Sequence, residues 1–305
     1  MAILAESVVP VKPVTVHPYF DRVALWLPER ANKPFLAKLR PKCGSLHVGN
    51  DRARFDPKLV QRLELKQPKP QALRLLAGLP GAHLNQVEVA LDLVFANSRE
   101  RDRTYEFLAY HLVRRWHGKK QQIHIHHGKA ETRYDAGRSA SNSIVLYQED
   151  HSRITGESDC LHVEWRALNQ RAVRSAGIES ARDLVGFDFR QFWKKQLLLL
   201  TVEPERLGRY FPRQGRKGRR RKSALDHRRG RILLNGVASI QELIDRYQVR
   251  RLLRPIANET LLPKRSEGEN RVKSLRGQGF RGEWSVRRRI LQKEASDVAK
   301  RLKRG

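Results

Sequence analysis

Gln86-Val-Glu-Val-Ala-Leu-Asp-Leu-Val-Phe95 alternates along its length, with Val87, Val89, Leu91 and Leu93 at odd positions and Glu88, Ala90 and Asp92 at even ones. A period of two is that of a β-strand, whose successive side chains point to opposite faces. The segment therefore reads as a central strand with an apolar face for a core and a second face carrying two carboxylates around a small residue. That second face suits either water, on an edge strand, or a hard divalent cation such as Mg²⁺ or Mn²⁺. Residues four apart on a strand lie about 13 Å apart. Glu88 and Asp92 should not share one ion symmetrically, and Glu88 is the better ligand.

Working outward, Arg22 to Leu27 alternates around Val23, Leu25 and Leu27 and predicts a strand, as does Arg52 to Phe55. Asp56-Pro57 has the form of an N-cap and N1 proline for a helix through Leu65. Helices are expected over Gln71 to Leu79, Arg101 to Trp116, Asn169 to Ala176 and Phe189 to Leu200. Strands are expected at Gln121 to His126, Thr132 to Asp135, Ser143 to Tyr147 and Leu161 to Arg166. The order, with hairpin-length gaps late in the run, predicts the α+β class: a mainly antiparallel sheet flanked by helices.

The chain has 62 Lys and Arg against 32 Asp and Glu, a net charge of +30. Such a surface attracts polyanions, nucleic acid first. No apolar run reaches the roughly 18 residues of a spanning helix, and Met1 to Pro10 lacks the pattern of a secretory signal. Cys43 and Cys160 are too few for a disulfide scaffold and read as free thiols. The expected setting is cytoplasmic, without a membrane. Residues 201–305 hold 30 of the basic residues and 11 of the acidic ones. Arg213 to Lys222, glycines and like charges with no apolar residue, cannot bury a core and reads as linker. The expected organisation is a domain over 1–205, a basic linker over 206–232, and a basic helical DNA-binding extension over 233–305. In the extension, Ser239-Ile-Gln-Glu242 has capping-box spacing before Ile240, Leu243, Ile244 and Tyr247, and Val286 to Leu302 could form a basic helix.

Tyr147 ends the apolar run Ile144-Val-Leu146 and precedes Gln148, Glu149, Asp150 and His151. Such a tyrosine serves equally as an amphipathic boundary residue with a wet hydroxyl or as a nucleophile. Taken together, the motifs resemble the replication initiation factor family, which includes rolling-circle plasmid initiators, phage initiators and relaxases of integrative conjugative elements. That family's acidic strand is matched by Gln86-Val-Glu-Val-Ala-Leu-Asp92. Its Glu-Thr-Lys-Tyr element is matched by Glu131-Thr-Arg-Tyr134, the Gly and Arg/Ser stretch by Gly137-Arg-Ser139, and the tyrosine strand by Ile144-Val-Leu-Tyr147. A later acidic strand is echoed by His162-Val-Glu-Trp165, a Phe-Asn-Pro turn by Phe55-Asp-Pro57, and an Asp before a strand by Asp21.

The resemblance implies a nicking-initiator-like fold. It implies that Tyr147 cuts one DNA strand at an origin and stays attached to the 5′ phosphate, and that Glu88, Asp21 and Asp92 hold Mg²⁺ or Mn²⁺. Implied partners are origin DNA, single-stranded or hairpin, and a host helicase; a homodimer is left open. Arg133, Arg138, Arg216, Lys217, Arg219, Arg220, Arg221 and Lys222 are the candidate DNA contacts. Two departures stand: Glu149 replaces the family lysine two places after the tyrosine, a loss that His151 or Lys129 could offset, and Gln86 replaces the arginine before the first acid. Tyr134 is the alternative nucleophile, and His124 with His126 an alternative metal pair. The rival readings are a noncatalytic DNA-binding control protein and an RNA-binding protein.

Overall fold

The computed structural model describes residues 10–50, 52–53, 55–113, 123–127, 130–134, 141–210, 228, 230–234, 237, 239–247 and 249–263. Arg138, the Gly137 and Ser139 turn, Lys129, the run Arg216 to Lys222 and the segment Val286 to Leu302 lie outside them. Eight strands form one antiparallel sheet: β1 Thr15–Leu27, β2 Ser45–Gly49, β3 Gln61–Lys66, β4 His83–Val94, β5 Ile123–His127, β6 Ala130–Tyr134, β7 Asn142–His151 and β8 Ser158–Ala167. Their order is β2-β3-β1-β4-β8-β7-β6-β5, so β1, β4 and β8 are central. Two short strands, β9 Leu200–Thr201 and β10 Arg254–Pro255, pair separately.

The helices are α1 Lys33–Leu39, α2 Pro70–Ala77, α3 Ser98–His111, α4 Gln170–Ser175, α5 Phe189–Gln196, α6 Pro204–Tyr210 and α7 Ile240–Tyr247. The side chains of Asn97, Asn169 and Asp188 accept backbone N–H groups of the first turns of α3, α4 and α5, which would otherwise lack partners. The odd face of β4, with Val23, Leu25 and Leu27 of β1 and Leu161, Val163 and Trp165 of β8, enters one apolar cluster with Leu108, Val173, Phe192 and Trp193. The α+β expectation holds, with helices packed on the apolar side of an antiparallel sheet. Residues through Pro263 form one compact unit. Within it α7, whose Glu242 N–H is accepted by Ser239 Oγ, buries Ile240 and Leu243 in a second cluster with Tyr110 and Val113. Among the described residues no helix is long and apolar enough to cross a membrane, and Cys43 and Cys160 are free and buried.

Two expectations fail. Asp56-Pro57 opens no helix: Asp56 accepts the N–H of Lys58 in a tight turn, and Gln61–Lys66 is β3. The alternation Leu63, Leu65 puts those two in the core, and a strand pattern outweighs a capping signal. Nor is Arg52 to Phe55 a strand; Ala53 bridges Asp56 within that turn. The sequence reading also passed over α1 and β2.

Candidate active site

The sheet's second face is polar and largely buried. Paired residues across an antiparallel sheet share a face, so the register defines rows. One row is His17, Asp92, His162, Tyr147 and Thr132; another is Lys66, Arg22, Glu88 and Arg166. Between them Ala90 lies opposite Glu164, a small residue that leaves room for carboxylates.

Asp21 reaches this face through a β-bulge. Phe20 pairs with Val89 and Arg22 with Glu88, so Asp21 is an extra residue with no partner on β4. Its carbonyl accepts Gln67 N–H at 2.8 Å and its Oδ1 accepts the Gln67 amide at 3.4 Å. Gln67 adopts φ 47°, a left-handed conformation that costs a non-glycine residue about 1–2 kcal/mol and is sustained by the surrounding contacts. Asp21, Glu88 and Glu164 each offer a carboxylate oxygen within 4.8 Å of the others, and all three residues are buried. The sequence-based set of Glu88, Asp21 and Asp92 is thus brought together only in part, with Glu164 where Asp92 was expected.

Asp92 has other work. It accepts His162 Nδ1 at 2.6 Å and Ser152 Oγ at 2.6 Å, with Tyr19 Oη at 3.3 Å. Burial opposes its ionisation, but these hydrogen bonds prevail and hold its carboxyl below the usual range. His162 is fully buried; burial favours the neutral ring, yet Asp92 on one nitrogen and Glu164, 3.7 Å from the other, push it up to about 9. Burial likewise works to raise Glu164, and the contacts from His162 and Arg166 outweigh it, leaving this carboxylate well below its ordinary range. Glu88 goes the other way: burial first, then the charge of Glu164, push it up to about 7.

Arginines bound the carboxylates. Arg22 Nε lies 3.1 Å from Glu88 Oε2, Arg166 Nη2 2.9 Å from Glu164 Oε2, and Arg153 Nη1 3.6 Å from Asp21 Oδ2. The Arg22 contact is poorly aligned, and Glu88 Oε2 is buried with no hydrogen bond. An all-oxygen donor set with one orphaned carboxylate oxygen and one carboxyl raised by a like charge is what a hard divalent cation requires.

Half-buried Tyr147 stands beside this cluster. Arg166 Nη2 donates both to Tyr147 Oη and to Glu164 Oε2, which sets the two oxygens within about 6 Å, two hydrogen-bond lengths. Its ring lies 5.4 Å from that of His162, and the Arg153 and Arg166 guanidiniums lie 5.5 and 5.7 Å from its centroid. Glu149, where the resembled family has lysine, binds Arg153 at 2.6 Å, so a cation still sits near the phenol, carried by another residue. His151 is exposed and pairs with Ser158. On the outer strands Arg133 pairs with Leu146 and His124, Tyr134 with Val145, and His126 with Glu131.

Sequence reasoning passed over the roles of His162, Arg166 and Arg153 and placed no metal on Glu164. The first two, with Glu164, follow from alternation, because residues 162, 164 and 166 must share a face. Arg153, on the turn after β7, left no periodic signal.

No family model matches the chain, and no curated protein matches it. Among solved structures, a rolling circle replication initiator protein from Geobacillus stearothermophilus is similar at 12% identity and a TM-score of 0.40, over 73% of this chain and 97% of that one. The motif resemblance therefore stands on its quoted residues, and the site on its own geometry.

Proposed function

We propose that this chain nicks and rejoins one strand of DNA at a replication origin of the rolling-circle type, with Tyr147 as nucleophile. The observation that carries the reading is the Arg166 nitrogen shared between Tyr147 Oη and a carboxylate of the Asp21, Glu88 and Glu164 cluster. The motif order over residues 20–175 supports it, as does the net charge of +30.

Tyr147 Oη attacks the scissile phosphorus, an Oη–P bond forms, the P–O3′ bond breaks, and the phenol proton passes to water. The resulting phosphotyrosine keeps the energy of the broken bond, so the free 3′-hydroxyl can reverse the step. Arg166 orients the phenol and stabilises negative charge on its oxygen. Arg153 adds positive charge on the ring side. Asp21, Glu88 and Glu164 would hold Mg²⁺ or Mn²⁺, which when bound polarises the phosphoryl oxygens. The basic run from Arg216 to Lys222 and the segment beyond it would retain origin DNA through its phosphates, and a host helicase would unwind from the nick.

One observation favours the noncatalytic alternative: each carboxylate already has an arginine partner, so the network is charge-balanced without an ion. Incubating the protein and Mn²⁺ with supercoiled DNA carrying its origin separates the readings. The nicking reading expects open circles with protein on the 5′ end, and Tyr147→Phe that forms no adduct yet retards DNA as before. Retardation without any adduct from the unsubstituted protein would leave the DNA-binding reading.

A further inference from the structure

The polar face extends past the carboxylates to an aromatic pair. Trp26 follows Arg22 and Ala24 at the strand period and shares a row with Arg62 and His83. Four residues separate it from Arg22, about 13 Å along the strand. Phe55 lies edge-on to its ring, with centroids 6.1 Å apart at 85°, and is 60% exposed. The turn that presents Phe55 is well tied: Asp56 N–H to Ala53 O at 3.3 Å, Leu59 N–H to Asp56 O at 3.1 Å and Ala53 N–H to Leu59 O at 2.9 Å. A hydrogen-bonded chain connects the two ends of the face, from Arg62 Nη2 to Gln86 Oε1 at 3.2 Å and from Gln86 Nε2 to Glu88 Oε1 at 2.9 Å.

We infer that Trp26 and Phe55 form a base-stacking platform for single-stranded DNA on the 3′-hydroxyl side of the scissile phosphate; the polarity rests on the nicking reading above. An exposed aromatic fixed by a tight turn, beside an arginine on a strongly basic protein, offers a π-face to a base and a cation to its phosphate. The polarity follows from in-line displacement, which sets the leaving oxygen opposite the attacking one. Tyr147 belongs to the Asp92 row and Trp26 to the His83 row, with Glu88 between them on β4. The strand ending in the leaving O3′ thus runs toward Trp26. After cleavage that strand has no covalent tether, and stacking keeps its hydroxyl available for rejoining.

The test uses full-length protein carrying Tyr147→Phe, in EDTA, with a fluorescent thymidine oligonucleotide of about 20 residues, because stacking tolerates any base. Adding Phe55→Ala should weaken binding roughly tenfold, and Phe55→Trp should restore it. Affinity for a duplex of equal length should hold within about twofold, since paired bases are already stacked. No loss on the single strand, or an equal loss on duplex, overturns the platform. With Tyr147 intact and supercoiled origin DNA, Phe55→Ala should form the 5′ adduct but reseal less of it; undiminished resealing overturns the polarity. If the unsubstituted protein forms no adduct, the nicking reading and the polarity fail together, while the oligonucleotide result still decides the platform.

Discussion

Glu88→Gln should stabilise the metal-free protein, and by an amount that grows with pH. The carboxyl is 3% exposed, lies against Glu164, and is pushed up from 4.5 to about 7. An acid raised on folding binds its proton more tightly in the native state, so its contribution is complete below pH 4.5 and disappears as pH climbs to about 7. The difference corresponds to at most about 3 kcal/mol above neutrality. Glutamine keeps the shape, cannot ionise, and can donate to Glu164. In urea unfolding with EDTA, the two proteins should be nearly equal at pH 4.5, and the variant should be ahead by about 2–3 kcal/mol at pH 8. Mn²⁺ should reverse the order: at 100 times its Kd an ion bound only to the folded state adds about 2.7 kcal/mol, which the variant loses with its ligand. A gap independent of pH between 5 and 8 would show that Glu88 is not held beside a like charge, and would refute the carboxylate geometry.

Asp92→Asn should behave in the opposite sense. It leaves the buried His162 ring without its carboxylate and should cost about 3–5 kcal/mol in urea unfolding at pH 6, with little change in Mn²⁺ affinity, because Asp92 lies outside the cluster. For the native pair, the His162 contribution is full below pH 6.5 and is lost as pH rises through about 9, whereas that of Asp92 is lost in acid. Asp21→Asn should change metal-free stability by no more than about 1 kcal/mol, since its ion pair with Arg153 is long and partly exposed, yet remove most of the thermal stabilisation given by Mn²⁺.

Much of this arrangement was legible in the amino-acid order. The period of two in Gln86 to Phe95 identified the central strand and sorted its faces correctly, because a strand buried on one side cannot slip by one residue without inverting every side chain. The same rule applied to residues 158–167 would have yielded His162, Glu164 and Arg166 together. Asp92 was misassigned because alternation reports a face and not a distance: it shares a face with Glu88 but finds a histidine two strands from Tyr19. The turn at Asp56-Pro57 was misread because helix caps and tight turns use the same chemistry, an aspartate side chain accepting a nearby N–H. Only the strand that follows distinguishes them. Arg153 depends on the path of a turn, which no periodicity encodes.

The irregularity at Asp21 has an implication of its own. Take that one residue out, and Phe20, Arg22 and Val23 still alternate correctly, with Phe20 opposite Val89 and Arg22 opposite Glu88. The ladder would close up, and the aromatic packing of Phe20 on Phe187 and Phe189 would need no rearrangement. Asp21 is a guest in the strand, surplus to architecture and present for chemistry. A single-codon deletion there should yield a chain that still folds and still adheres to DNA but has lost a corner of its cation cage, separating scaffold from reaction at one position.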